Sequence, residues 1–277
     1  MLWPSLLLAA PAWALDEPII PPAGLYYVAE WLNYRVDHYR MAPDNAKLPG
    51  DNHGRVQGLT NRLLWVSSYR ILGADYAAEA LVPAVHSSLN FSLANYHESN
   101  SGWGDIYLSP LILGWHGERW DAVAGTGLWL DNGRTQRFDD PGVGYKRLVL
   151  SGGVNYYLNE PRTLSTSALL RFERGGTNTY GVRKGHKLYL DWTAYQRWGP
   201  LQAGLGGYSQ WQLSDDTGAG ATPGRYQRHA IGGQVNYLFL QSKSLLKLGL
   251  YREFDVHAGG SLQTQGFMLR LAWAKAL

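Results

Sequence analysis

"KLYLDWTAYQRW", residues 187–198, changes character at every step. Leu188, Leu190, Trp192 and Ala194 fall on one side of an extended chain, and Lys187, Tyr189, Asp191, Thr193 and Arg197 on the other. A helix would scatter both sets around its axis. Period two sorts them onto the two faces of a strand, one apolar and one polar. The same alternation runs through "LLRFE" (169–173) and "LVLSGGVNYYL" (148–158), where Leu148, Leu150, Val154, Tyr156 and Leu158 share the apolar face. In "KLGLYREFDV" (247–256), Leu248, Leu250, Phe254 and Val256 oppose Lys247, Tyr251, Glu253 and Asp255.

Strand length decides what kind of β-protein this is. The alternating segments reach ~10 residues, which a tilted strand needs to cross a bilayer, whereas soluble strands average ~5–6. The connections also differ in length by turns. Short ones (73–75, 117–118, 159–161, 199–200, 241–243) interleave with long polar stretches at 41–58, 95–104, 132–144, 175–184, 214–228 and 257–263. Short turns at one end and long loops at the other predict an all-β fold: a transmembrane up-and-down antiparallel β-barrel of about 12 strands.

Composition agrees. Trp (12) and Tyr (18) far outnumber Phe (6). A membrane–water interface selects that bias, because the rings sit in the apolar layer while N–H and O–H reach water. No cysteine is present, so neither a disulfide framework nor a thiolate metal site is expected, and nothing calls for a metal or cofactor. The net charge of +3 comes without a basic block, which argues against nucleic acid.

The chain opens "MLWPSLLLAAPAWA", an apolar run closed by Ala12-Trp13-Ala14, read as a signal peptide over residues 1–14. Residues 15–24, "LDEPIIPPAG", form an N-terminal segment rich in proline. In polyproline form it would reach ~30 Å, enough to thread much of a barrel as a lumen plug, with Ile19 and Ile20 lining the passage. The barrel itself is expected over 25–277. Its last strand, "GFMLRLAWAKAL", turns Phe267, Leu269, Leu271 and Trp273 to lipid.

One stretch suggests chemistry. "HESN" (97–100) resembles the His-x-Ser-Asn of outer membrane acyl hydrolases, the phospholipase A and lipid A deacylase families. On a strand, His97 and Ser99 would share a face, as a base and its nucleophile must. The strand that follows lacks the partner residues of the phospholipase, and "ANYHESNSGWGD" has the composition of a turn. Catalysis by His97 and Ser99 is therefore the alternative reading.

A broader likeness covers nearly the whole mature chain in order. "RILGADYAAEALVP" (70–83), "GWGDIYLSPLILGWH" (102–116), "DDPGVGYKRLVLSGGVNYYLN" (139–159), "GHKLYLDWTAYQRWGPLQAGLGGYSQWQLSDDTG" (185–218), "HAIGGQVNYLF" (229–239) and "LYREFDV" (250–256) carry it. Together they resemble the outer membrane channel family labelled meta-pathway of phenol degradation protein. That resemblance implies a monomeric twelve-stranded barrel in the outer membrane of a Gram-negative bacterium, with its N-terminal segment folded into the lumen. It also implies passive uptake of small hydrophobic or aromatic molecules.

Inward-facing positions are expected to include Arg35, Asp37, Arg62, Arg70, Arg147, Arg171, Glu173, Lys187, Asp191, Arg197, Lys247, Glu253, Asp255 and Arg270. Cations outnumber anions in that set, which predicts a modest preference for anions in any small pore. A hydrophobic solute gains nothing from such a tunnel, since entering it forfeits the transfer free energy. Pro83 and Pro110 lie mid-strand in neighbouring strands and each removes a ladder donor. They mark the seam where the wall is expected to open sideways to lipid.

Overall fold

The computed structural model describes residues 18–92, 95–137, 139–260 and 262–277. The expected signal peptide (1–14) lies outside the described residues, as do 15–17. One sheet holds β1 (Gly24–Met41), β2 (Ala46–Lys47), β3 (Asn52–Ile71), β4 (Ala74–Phe91), β5 (Tyr96–Trp103), β6 (Tyr107–His116) and β7 (Trp120–Trp129). It continues with β8 (Arg147–Tyr157), β9 (Leu164–Gly175), β10 (Lys187–Trp198), β11 (Leu201–Gln212), β12 (Gln227–Phe239), β13 (Ser244–His257) and β14 (Gln263–Ala276). β14 pairs antiparallel with β1 from Tyr26↔Ala276 to Arg40↔Gln263, so the sheet closes on itself. β2 is a two-residue extension of β1, and β5 shares the partner β4 with β6. The remaining twelve strands form the wall of an up-and-down barrel.

Alternation sorts the residues as expected. Leu148, Leu150, Val154, Tyr156 and Leu158 are all exposed on the outer surface, while their neighbours Arg147, Val149, Asn155 and Tyr157 are buried inside. At the end with the short turns, Trp65, Trp120, Tyr156, Trp198, Tyr237 and Trp273 stand outward as a girdle. Trp65 meets Tyr76 edge-on at 5.8 Å and Trp273 meets Tyr27 at 6.3 Å. Interfacial aromatic girdles of this kind flank the apolar band of membrane barrels.

Two stretches expected to be loops are largely strand. Residues 52–58 belong to β3, and 96–103 form β5. Above the bilayer a strand faces water on its outside and needs no apolar face, so the alternation that marks it lower down disappears. Val256 departs from its expected face as well. Between β12 and β13 the register slips where His229 pairs Phe254 and Gln227 pairs His257. Asp255 is the extra residue, with φ at +47°, and this bulge turns Val256 inward to 2% exposure.

Candidate functional site

The lumen wall carries a network of buried charges and several apolar clusters. Arg171 pairs with Asp191, and Arg147 lies between Asp105 (3.5 Å) and Glu173 (3.6 Å). Glu173 also takes Lys187 at 3.4 Å, whose Nζ donates to the Tyr145 hydroxyl at 3.1 Å. Glu253 accepts from Tyr34 (2.5 Å), Tyr208 (2.8 Å), the Gly266 amide (2.9 Å) and Arg228 (3.3 Å). Arg270 meets Glu30 at 3.2 Å, and Arg62 meets Glu79. All these side chains are buried.

Seven of the ten residues nominated to line the lumen are therefore inside: Arg62, Arg147, Arg171, Lys187, Asp191, Glu253 and Arg270. Three are not. Arg35 points outward beside Asp37, with 62% of its side chain exposed, because β1 buries its even positions Val28, Glu30, Tyr34 and Val36. Arg70 is exposed at the short turn and bonds Asp75 at 2.9 Å. Arg197 is exposed at the same end of the barrel. Asp255 is also outside, turned there by its bulge. Inside, the buried pairs match Arg62, Arg147, Arg171, Lys187, Arg228 and Arg270 against Glu30, Glu79, Asp105, Glu173, Asp191 and Glu253. The expected excess of positive charge disappears in this balance. Glu30 and Glu79 escaped notice because each is a lone acid within an apolar run, "VAEWL" and "AAEAL".

Apolar clusters lie beside these charges. Tyr34, Val36, Tyr208 and Met268 belong to one that encloses Glu253, and two more line β3 to β8. Leu81, Tyr107 and Val149 are buried together with Trp129 packed on them. Tyr107 lies flat on Gly127, where an added Cβ would sit 2.2 Å from its hydroxyl. Nearer the short turns, Ile20 packs with Leu64, Val66 and Ala77, flanked by Tyr26, Ile112 and Val123. Ile20 rests on Gly114, which has no room for a side chain, and Pro18 rests on Gly153 in the same way. Ile19 beside it is half-buried. The described part of the N-terminal segment thus lies inside the barrel mouth. Charges adjoin both clusters: the Arg62–Glu79 pair lies between them, with Glu79 between Ala77 and Leu81 on β4, and Arg147 stacks over Trp129 at 4.7 Å.

Pro83 and Pro110 do flank one strand pair. The β4–β6 ladder ends at Leu81↔Tyr107 and the β4–β5 ladder begins at Ala84↔Trp103, so Pro83 occupies the break between them. Its carbonyl accepts the Gly104 amide at 2.8 Å. Pro110 sits in a bulge of β6 that shows in the register with both neighbours, and its carbonyl accepts the Tyr76 hydroxyl at 2.8 Å. On either side of that gap β4 stays paired, with β6 up to Leu81 and with β5 from Ala84. The unpaired edge belongs to β5, whose only strand partner is β4.

What lies against that edge is the 130–146 connection, held by side chains. Arg134 donates to Asp140 (2.7 Å) and Asn100 (2.6 Å). Arg137 reaches Glu98 at 2.9 Å and Asp139 at 3.1 Å, and Tyr96 donates to Asp139 at 3.0 Å. Pro141 covers Gly102. Burial alone would raise the Asp140 carboxyl, but the Arg134 guanidinium and the amides of Arg137 and Gln136 outweigh it and hold it below the usual range.

His97 and Ser99 lie on β5, both exposed. They face Asn90 and Ser88 across the ladder, and no hydrogen bond joins them to each other among the described residues. The nearby acids are committed elsewhere. Glu98 holds Arg137, and Asp105 accepts the amides of Gly133 and Val143 and faces Arg147. Among the described residues neither Glu98 nor Asp105 is hydrogen-bonded to His97, as a carboxylate orienting a catalytic base would be. No group of three or more metal-binding side chains occurs among the described residues.

A closed barrel with an apolar outer belt, an aromatic girdle and a lumen of buried charges defines a membrane-spanning β-barrel protein. Residues 41–271 match the family described as "Putative MetA-pathway of phenol degradation", and the chain belongs to that family. Its fold is similar to that of the COG4313 outer membrane channel from Pseudomonas putida F1, at 15% identity and a TM-score of 0.81, covering 94% of this chain and 98% of that one. More distant is the β domain of the Bordetella autotransporter BrkA, at 13% identity and TM-score 0.52, covering 92% and 100%. The transport unit of the autotransporter AIDA-I from Escherichia coli stands similarly, at 10% identity and 0.52, covering 92% and 90%. No functionally curated protein sequence matches the chain.

Proposed function

We propose that this chain is a channel in the outer membrane of a Gram-negative bacterium for passive uptake of small hydrophobic or aromatic molecules. It works as a monomer, without a cofactor and without catalysis of its own. The observation that carries this reading is a strip of apolar side chains in the lumen. It is formed by Leu81, Tyr107, Val149 and Trp129, then by Leu64, Val66, Ala77 and Ile20, and runs along the part of the wall where the prolines lie. A solute entering there keeps its apolar surface out of water while it passes Arg147 at Trp129 and the Arg62–Glu79 pair. The family description and the description of the Pseudomonas protein as an outer membrane channel both accord with it.

The route begins in lipid. Above β7 and β8 the wall is the unpaired edge of β5 and the clasp of Arg134 and Arg137, with Trp103 exposed outside. Displacing that loop opens a gap directly over the Leu81 cluster, beside Pro83 and above Pro110. The solute then follows the strip to Ile19 and Ile20, which plug the far mouth until they yield.

A disulfide tests the route. A Cβ at Gly102 would lie 3.1 Å from Cγ of Pro141, so Gly102→Cys with Pro141→Cys fastens loop to edge. Uptake of labelled phenol or toluene by cells with no other hydrophobic channel should fall severalfold when the pair is oxidised and recover on reduction. Unchanged uptake with the bond closed sinks the lateral route.

A further inference from the structure

The outer surface carries a cationic cluster that transport does not use. Arg55 on β3 pairs directly with Arg35 on β1, Arg35 with Phe267 on β14, and Phe267 with Arg252 on β13. Partners across a ladder share a face, so three arginines stand outward in one row over four adjacent strands. Directly below them on the same face come Gln57, Asn33, Leu269 and Leu250, and the next row, Leu59, Trp31, Leu271 and Leu248, is apolar on all four strands. The short turns lie at the opposite end, so this row borders the outer leaflet.

The row is built, not incidental. β1 carries a bulge between Val36 and His38, and its extra residue is Asp37. A bulge re-aims a side chain, and here the carboxylate takes both the Nε of Arg35 at 3.1 Å and a terminal nitrogen of Arg252, two strands away. Asp37 is nearly covered, whereas Arg35 and Arg252 remain 62% and 51% exposed. One carboxylate thus positions two guanidiniums and leaves their outer faces open. Arg55 is exposed and has no ion pair among the described residues. Asp255 and Asp51 lie elsewhere on this rim, beside His257 at 3.3 Å and His53 at 3.2 Å, and among the described residues neither pairs with an arginine of the row. Three arginines and Asp37 give the row itself a net charge of about +2 at the border of the apolar belt, where uncompensated charge is costly.

From this geometry we propose that Arg35, Arg55 and Arg252 bind the phosphorylated sugar headgroup of an outer-leaflet glycolipid of the lipopolysaccharide type. Planar guanidinium forks match phosphate oxygens in pairs, and neighbouring strands ~4.8 Å apart spread the three forks over a headgroup rather than one point. The acyl chains then fall along Trp31, Leu59, Leu250 and Leu269. The proposal rests on the outer-membrane placement and is independent of which solute passes.

The test uses the full chain purified in mild detergent, titrated with deep-rough lipopolysaccharide and read by native mass spectrometry. Wild type should retain the lipid. Arg35→Gln, Arg55→Gln and Arg252→Gln combined should weaken binding at least tenfold, while Arg70→Gln at the opposite end changes nothing. The combined lysine variant keeps charge without the fork and should lose a few-fold only, with heat-modifiable gel migration confirming the closed barrel in each case. Equal binding by the combined glutamine variant overturns the proposal. So does equal binding of the dephosphorylated lipid, or displacement by inorganic phosphate at concentrations matching the lipid, which would make this a simple anion site. Lipid retention is read without any solute, so a failure here is distinct from a failure of the channel reading.

Discussion

The Arg62–Glu79 pair lies between the two apolar clusters of the strip, and replacing it gives the channel reading a quantitative test. Arg62→Leu with Glu79→Leu joins the Ile20 and Leu81 clusters into one surface. A small aromatic solute passing two leucines instead of two charges keeps on the order of 50 Å² more of its surface out of water, worth about 1.3 kcal/mol at ~25 cal/mol per Å². If that passage limits flux, uptake rises close to tenfold. The barrel should tolerate the double change, since replacing a buried ion pair by apolar residues is often neutral or stabilising by ~1–4 kcal/mol. Glu79→Gln alone leaves a buried guanidinium without its anion and should cost ~3–5 kcal/mol, so the two variants separate flux from folding. The assay is initial uptake of labelled toluene into cells, with heat-modifiable migration to confirm closure. A double variant that folds yet takes up solute no faster, or more slowly, refutes the apolar strip as the route.

Acyl release from phospholipid and lipopolysaccharide, with and without calcium, should be absent from the purified protein and unaltered by His97→Ala; hydrolysis lost in that variant would make "HESN" an active site. The clasp should respond to acid. Asp140 is held below its unfolded value of ~3.9, so its contribution is fully present above that value and is lost as pH falls through the lower folded value. Hydrogen exchange of residues 131–145, corrected for intrinsic rate, should be flat from pH 7 to 5 and rise below about 4; a rise already at pH 6 would contradict the role given to Asp140. On the lipid face, Leu248→Arg, between the row of Trp273 and the edge row of Leu250, should cost ~2–4 kcal/mol in urea refolding into vesicles; a cost near zero would contradict its placement in hydrocarbon.

The barrel was legible because lipid enforces a simple rule. Where strands cross hydrocarbon, every second residue must be apolar, and Leu148 to Leu158 or Leu188 to Ala194 obey it without exception. Above the bilayer the rule lapses, which is why β5 and the first residues of β3 read as loop. Parity fails for another reason. A single bulge residue inverts every assignment beyond it, as Asp255 does for Val256. On β1 both faces mix aromatic and charged residues, so nothing in "WLNYRVDHY" told whether Arg35 or Tyr34 faced inward.

The lumen was legible in kind and not in arrangement. Alternation placed Arg147, Arg171, Lys187 and Asp191 inside, but periodicity fixes neither the register between neighbouring strands nor where the two ends of the chain meet. Arg147 reaches Asp105, 42 residues away, and Arg270 meets Glu30 on the adjacent strand 240 residues away, where β14 closes on β1. Once such pairs are drawn, buried charge stops looking like a selectivity filter and becomes scaffolding. A carboxylate that already accepts from Tyr34, Tyr208 and Arg228, as Glu253 does, has little left to offer an ion. A filter must bind weakly enough to let go, whereas a buried pair costs several kcal/mol to break. The buried charges therefore hold the wall in shape, and under the channel reading passage falls to the apolar strip between the Leu81 and Ile20 clusters.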